Sequence, residues 1–439
     1  MFSPGACHLR AVEGKLLFWA CAYLLVGAGA LYFLKPAPST AVVLIGALAT
    51  MAAFWGLHFF WSWTGFAGDP FLLPLVAFFS STSLVFLYRL NPAYAVRQFV
   101  WLMIGLFTLW VITRFLLRYR VLADYKYVYA LAGIIGLLLP IFLGVEQGGA
   151  KSWLDLGLFQ VQPSEFVKIL LVLFLASFLA ENRLALAEGT RTLMGIALPA
   201  PQEWGPLLVM WGVSLLLLIF QKDLGAALIY FTTFLAMVYA STARVAYVCL
   251  GGALFLAGAA GSYALFEHVR LRVEIWLNPW KYVETAGYQV VQSLFALAAG
   301  GLTGSGLGAG LPQFVPAVHT DFIFAAITEE LGLAGGLGLL IIYMLFVYRG
   351  FVIALAARDD FACLLAAGFT ALMGLQTFII IAGVIKLLPL TGVTLPFVSY
   401  GGSSLVANFI ILGLLLNISH ETQVGVVEKR LARWKHWRG

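Results

Sequence analysis

Apolar residues in this chain run in long unbroken blocks. They do not form the every-third-or-fourth stripe of a soluble helix or the alternation of a half-buried strand. The blocks fall at 15–34, 41–61, 70–88, 98–117, 127–144, 163–181, 206–220, 224–240, 246–265, 322–348, 361–385 and 402–418. Each approaches the ~20 residues that carry a helix across a hydrocarbon core of ~30 Å. They predict an all-α polytopic membrane bundle of twelve helices. Two connections are long, 182–205 and 266–320, and the second is rich in Gly and polar residues. Residues 1–68 read as an N-terminal two-helix addition, 69–420 as a ten-helix core and 421–439 as a basic tail. No strong internal repeat is evident.

Composition agrees with lipid as the solvent: 62% of the 439 residues are hydrophobic and 10% charged, with a mean hydropathy of +0.96. A soluble domain has no means of burying that much apolar surface. The net charge of +6 is no nucleic-acid signature, because membrane proteins gather Lys and Arg on cytoplasmic loops. Cys7, Cys21, Cys249 and Cys363 show no CxxC spacing and read as small membrane residues rather than a disulfide or metal framework. The first block is too long for a signal-peptide core and reads as a retained span.

Charge asymmetry orients the bundle. With the N-terminus in the cytoplasm, the inward stretches hold Arg10, Lys15, Arg114, Arg118, Arg120, Lys126, Arg183, Arg191, Arg244, Arg349 and Arg358, and the tail adds Lys429, Arg430, Arg433, Lys435 and Arg438. These are sixteen of the 26 Lys and Arg residues. The positive-inside rule then places both termini in the cytoplasm and 266–320 outside.

Ionisable groups inside such a chain are costly, and those that occur face the bundle interior or a water-filled cavity. In "QPSEFVKILL" Glu165 and Lys168 are three apart, so they share a helix face, either as a structural ion pair or as the wall of a polar cavity. In "FQKDLGAAL" Asp223 opens a helix, where an acid is favoured by the dipole. The run "LPLTGVTLPFVSYGGSSL" breaks the backbone before the last block and offers Ser399, Tyr400, Gly401, Gly402, Ser403 and Ser404. Its N–H and hydroxyl groups suit an anion, or alternatively ordinary Gly/Ser helix packing. The outer loop contributes Arg270, Arg272, Gln289 and Gln292, and a glycine string, "GGLTGSGLGAG". No strand of a βαβ unit precedes that string, which excludes a dinucleotide fingerprint and leaves tightly turned backbone near a ligand.

"HTDFIFAAITEE" carries three acids in an otherwise apolar run. On a helix starting near Thr320, Asp321 lies in the first turn, while Glu329 and Glu330 fall about 12 Å deeper. The three cannot form one metal cluster. Glu329 and Glu330 read as structural partners of other helices. Asp321 is either a helix-start carboxylate or an acid facing an outer cavity. Under the orientation above, Glu165, Lys168, Asp223, Arg270, Arg272, Asp321 and the 399–404 run all lie at the outer ends of their helices. Unrelated structural charges would distribute over both ends, so the coincidence points to an outward-facing site for a polar, anionic, membrane-attached ligand.

"RQFVWLMIG", "QPSEFVKILL", "KDLGAAL", "NPW", "GYQVVQSLFALAAGGLTGSGLGAG", "HTDFIFAAITEELGLAG" and "LPLTGVTLPFVSYGGSSL" occur in this order over about 70–420. Together they resemble the SEDS family, of RodA, FtsW and SpoVE type. The resemblance implies a ten-helix glycosyltransferase of the bacterial cytoplasmic membrane. Such an enzyme polymerises lipid II into peptidoglycan for elongation, division or sporulation, beside a class B penicillin-binding protein. It implies that Asp321 is the essential acid, with Glu165 and Lys168 as the paired site residues. The sequence departs from the family pattern at Ser152 (often Arg), Lys222 (usually Pro), and Ile380 and Lys386 (more usually Asn and Gly).

The implied reaction is attack of an acceptor 4-hydroxyl on the donor's anomeric carbon with inversion and departure of undecaprenyl pyrophosphate. Asp321 serves as general base. Lys168, Arg270 and Arg272, and a divalent cation (Mg or Mn) as candidate cofactor, would stabilise the leaving group. The rival readings are a lipid flippase, which calls for a polar path through the midplane and often inverted repeats, and a non-catalytic scaffold.

Overall fold

The computed structural model describes residues 4–34, 41–147, 150–155, 157, 159–188, 191–193, 196–198 and 201–436. Among them eleven helices are long and apolar enough to cross a membrane, and Trp204–Phe220 is a shorter apolar helix. Every predicted block is therefore helical. The side chains of Arg191, Lys429, Arg430, Arg433 and Lys435, and all of Arg438, lie outside the described residues.

The chain begins with α1 (Pro4–Leu34), α2 (Ala41–Thr64), α3 (Leu72–Leu90), α4 (Pro92–Phe115) and α5 (Lys126–Leu143). Asn91 caps α4 by accepting from Ala93 N at 2.9 Å, with Pro92 in the first turn, where its missing N–H leaves nothing unsatisfied. A small antiparallel sheet follows, of β1 (Val145–Gln147), β2 (Ala150–Asp155) and β3 (Gln160–Val161), with Val145 opposite Trp153 and Leu154 opposite Val161. Next come α6 (Pro163–Glu188), a β4–β5 hairpin (Arg191–Leu193, Ile196–Leu198), α7 (Pro201–Phe220), α8 (Leu224–Thr242) and α9 (Val245–Leu265).

The segment 266–320, expected to be a loop, carries α10 (Glu267–Leu277) and α11 (Tyr288–Gly300). Both are shorter than a membrane crossing, so a search for blocks of spanning length passes over them. The chain closes with α12 (Ile323–Ala356), α13 (Asp360–Val384) and α14 (Gly402–His436), the last running on through most of the predicted tail.

Two details of α12 differ from expectation. The helix starts at Ile323, not near Thr320, because Ala317 at φ 52° turns the chain and receives the Thr320 and Asp321 N–H groups on its carbonyl, each at 3.1 Å. Asp321 thus sits in a turn just ahead of the helix. In addition, Gly332 (φ 71°, ψ −177°) breaks α12 into 323–331 and 333–356. The groups freed at the break are met by the glycine string: Leu333 N and Ala334 N donate to Gly301 O and Leu302 O, while Ser305 N and Gly306 N donate to Glu329 O and Glu330 O. A Cβ at Gly332 would lie 2.3 Å from Gly304 N.

The bundle interior is built on α14, whose Phe409 meets α4 so closely that a Cβ at Gly105 would lie 2.2 Å from its ring. Phe79, Tyr343 and Phe397 stack beside it, the first two at 4.1 Å. Helix α9 is peripheral, with Gly251 its one buried residue. The N-terminal pair packs on α3 and α4, with Trp61 Nε1 donating to Thr113 at 3.2 Å. Arg10, Glu13 and His58 form a buried triad there: Arg10 pairs with Glu13, Glu13 Oε1 meets His58 Nδ1 at 2.7 Å, and Arg10 donates to Gly68 O at 2.7 Å. At the same end of the bundle Arg349 pairs with Asp69, Arg120 with Asp359 and Glu421, and Arg183 with Asp360.

Candidate active site

The opposite end opens into a cavity of about 1450 Å³. Its walls come from the start of α4 (Tyr94, Arg97, Trp101), the β2–β3 hairpin (Ser152, Phe159), the start of α6 (Ser164, Glu165, Lys168) and the α7–α8 turn with α8 (Lys222, Asp223, Tyr230). The rest is supplied by α10 and α11 (Arg272, Trp276, Gln289), the turn before α12 (His319, Thr320, Asp321), and the segment from α13 to the first turn of α14 (Gln376, Lys386, Tyr400 to Ser404). Five cations (Arg97, Lys168, Lys222, Arg272, Lys386) face four carboxylates (Asp155, Glu165, Asp223, Asp321).

One connected hydrogen-bond network fixes much of the wall. Lys168, almost fully buried, donates to Glu165 Oε2 at 2.6 Å and to Gln376 Oε1 at 3.1 Å. Gln376 in turn donates to Thr394 O at 2.8 Å, and the Thr394 and Ser404 hydroxyls meet at 2.8 Å. Ser403 Oγ accepts from Gln162 N at 3.1 Å, Gln162 Nε2 donates to Asp223 Oδ2 at 3.2 Å, and Asp223 Oδ1 caps α8 by accepting from Ala226 N at 3.0 Å. Glu165 and Lys168 are thus a buried pair and a cavity wall at once. Lys168 is already occupied by two partners, which makes it a positioning group for α6 and α13. Gly402 brings α14 against α4: a Cβ there would lie 2.2 Å from the Trp101 indole.

Asp321 is aimed by its turn. Ser399 Oγ donates to Thr320 O at 2.5 Å and Tyr400 N to His319 O at 2.9 Å, tying the 317–321 turn to the segment before α14. Gly392, at φ 74°, passes so near that a Cβ there would lie 3.6 Å from Asp321 Oδ2. The carboxyl keeps some surface toward the cavity but is otherwise enclosed by protein. Burial therefore raises its pKa to about 6, against a smaller downward pull from the Thr320 hydroxyl and Arg272. Arg272, feeling both Asp223 and Asp321, has its own pKa lowered by burial, and it donates to the Leu390 and Thr391 carbonyls at 3.3 Å each. Burial raises Asp223 as well and lowers His319, which favours the neutral imidazole. His319 stacks on Tyr94 at 4.2 Å, with Tyr400 beside them, giving a flat aromatic surface next to the acid.

Several candidates sit elsewhere. Arg270 is exposed, donates to Ala264 O at 3.2 Å and lies over Tyr263; it is not among the residues lining the cavity. Gln292 and Ser399 also fall outside that lining, whereas Gln289 lies in it. Glu329 and Glu330 do pair away from the cavity. Glu330 meets Arg89 of α3 at 3.0 Å and accepts from Gly308 N at 3.0 Å, while Glu329 accepts from Leu311 N at 2.8 Å. The glycine string is tightly turned as expected, but it wraps the chain's own carboxylates instead of a ligand. Among the described residues no group of three or more His, Cys, Asp or Glu side chains is arranged to hold a metal ion. Arg97, Trp101, Gln162, His319, Lys222 and Lys386 also shape the site, although their residue types alone did not single them out. Each carried a partial signal: Arg97 and Trp101 lie in "RQFVWLMIG", Gln162 opens "QPSEFVKILL", His319 opens "HTDFIFAAITEE", and Lys222 and Lys386 depart from the family pattern.

The chain is similar to known proteins over most of its length. The family described as "Cell cycle protein", grouping FtsW, RodA and SpoVE, matches residues 61–424. "Peptidoglycan glycosyltransferase RodA" of Mycobacterium tuberculosis is 44% identical over 366 residues, covering 80% of this chain and 78% of that protein. "Stage V sporulation protein E" of Bacillus subtilis is 36% identical over 288 residues, covering 65% and 76%. Among solved structures, a chain from "Structural coordination of polymerization and crosslinking by a peptidoglycan synthase complex" aligns with a TM-score of 0.69 at 30% identity, over 81% of this chain and 98% of its own. The rod shape determining protein RodA of Thermus thermophilus aligns at 0.57 and 30%, over 81% and 97%. This multi-pass membrane protein belongs to the SEDS family of peptidoglycan glycosyltransferases.

Proposed function

We propose that the chain polymerises lipid II into glycan strands at the outer face of the cytoplasmic membrane, with both termini in the cytoplasm and Asp321 as the general base. The observation that carries this reading is the placement of Asp321, enclosed yet open to a cavity shared with Arg272, Asp223 and the Glu165–Lys168 pair. The cavity is walled by helix starts and turns that all lie at one end of the bundle. The positive-inside bias supports that end as the exterior.

In the reaction, the acceptor 4-hydroxyl oxygen attacks the donor's anomeric carbon from the face opposite the leaving group. The bond from that carbon to the pyrophosphate oxygen breaks and its electron pair leaves with the pyrophosphate. The hydroxyl proton passes to an Asp321 carboxylate oxygen. A base with a pKa near 6 is ionised at neutral pH yet retains more proton affinity than an ordinary Asp, a match that suits general-base work. Arg272 supplies positive charge for the pyrophosphate, and the Tyr94–His319–Tyr400 surface suits the face of a sugar ring.

Lipid grooves for the polyprenyl chain start on α4, where Val96, Val100 and Ile104 line the cavity and are also exposed. The solved peptidoglycan synthase complex supports a class B penicillin-binding protein as partner. The test is purified protein, alone and with its transpeptidase, given labelled lipid II. Wild type makes glycan polymer and Asp321→Asn, equally folded, does not. Polymer from Asp321→Asn would remove the base, and transbilayer movement of lipid II without polymer would replace the enzyme with a flippase.

A further inference from the structure

Among the described residues, those other than glycine in left-handed backbone are Lys222, Ala243, Ala317, Lys386 and Phe397, at φ 52° to 63°. Three of them, Lys222, Ala317 and Lys386, line the cavity. Ala317 makes the turn that presents Asp321. Lys222 and Lys386 each follow a helix end, the position where Gly is the usual occupant because it has no Cβ to strain. Lysine there gains nothing for the backbone. In the cavity wall its side chain is the feature left to account for.

Both ammonium groups frame α10. On that helix His268, Arg272 and Trp276 follow at four-residue spacing and so form one stripe about 12 Å long. Lys222 stands at the His268 end, where its charge, after burial and Arg272, helps depress the His268 pKa. Lys386 stands at the other end: Trp276 Nε1 donates to its carbonyl at 3.2 Å, and its Nζ reaches Leu277 O only at 3.5 Å. Arg272 lies between them. Among the described residues neither lysine forms a salt bridge, although carboxylates line the same cavity.

We propose that Lys222, Arg272 and Lys386 form a row along α10 that receives the pyrophosphate of the lipid-linked donor, Lys222 and Lys386 being leaving-group contacts at positions where this chain departs from the usual family pattern. The inference rests on the glycosyltransferase reading and deepens it. A pyrophosphate that departs with a full electron pair gains charge during the reaction, and cations held without carboxylate partners are available to meet it. Both lysines stand at positions where the sequence departs from the family pattern, and so does Ser152, a third departure in the same cavity wall.

The test measures binding of farnesyl pyrophosphate and farnesol to the purified full chain in detergent. Wild type is expected to prefer the pyrophosphate by more than tenfold. Lys222→Gly with Lys386→Gly should reduce that preference by about tenfold, consistent with two partly exposed charges. It should leave farnesol affinity and the unfolding midpoint unchanged or improved, since Gly relaxes both positions. Lys222→Arg with Lys386→Arg should restore the preference. A double-glycine variant that keeps the wild-type preference would overturn the assignment of the two lysines while leaving the catalytic reading intact. A wild type that binds farnesol as tightly as farnesyl pyrophosphate would overturn the whole row, and the catalytic reading would still stand or fall on the polymerisation assay.

Discussion

At one end of the bundle Arg10, Glu13 and His58 are sealed together, Arg349 holds Asp69, and Arg120 and Arg183 hold acids of α13 and α14. At the other end Arg97, Lys222, Arg272, Lys386, Asp223 and Asp321 share a cavity, and among the described residues none of these six is in a salt bridge. The same residue types are used in both places. Where charges are matched pairwise, removing one strands its partner and the fold suffers. Where they are left unmatched, the chain tolerates an electrostatic cost that only a ligand relieves. Charge alone therefore does not mark the site; beside the Glu165–Lys168 pair, what sets it apart is charge without a salt-bridge partner.

The sharpest way to break this contrast is Asp321→Asn. Loss of the base should lower polymerisation by two or more orders of magnitude with no fall in the unfolding midpoint; a parallel loss of stability would make Asp321 a structural acid like those at the closed end. Next in size, Glu13→Ala leaves Arg10 and His58 buried without their shared carboxylate. It should cost about 3–5 kcal/mol in denaturant unfolding, while activity per folded molecule stays the same. The acid side of the rate profile sharpens the comparison further. With Asp321 raised to about 6, kcat/KM should be level above pH 7 and fall by about tenfold per unit below pH 6, a limb that an ordinary Asp would place near 4. The smallest effect is expected at Asp360→Ala, whose pair with Arg183 is about half exposed on both sides. Its unfolding free energy should change by ~0–1 kcal/mol.

The twelve apolar helices were legible because a bilayer demands a minimum apolar length, and that demand is written directly into composition. Helices α10 and α11 were not, since neither is long enough to register as a span. That omission had a cost at the site. Arg270 and Arg272 look equivalent in a loop, but two positions on a helix point to nearly opposite sides, so only Arg272 enters the cavity. Asp321 was legible through its motif, whereas its turn depends on Ala317 and Ser399. Pairings such as Arg89 with Glu330 join distant parts of the chain and leave no local trace. Lys222 and Lys386 were visible as departures from a pattern, but without backbone angles there was no reason to read them as functional.

The break at Gly332 sets the short helix 323–331 apart from the crossing segment that follows, and the glycine string staples the two together. Asp321 stands just ahead of that short helix. Its aim is thus inherited from packing more than ten residues away. A substitution at Gly332, where a Cβ would press on Leu302 and Gly304, would be scored in an assay as a damaged base, although the base itself was never touched.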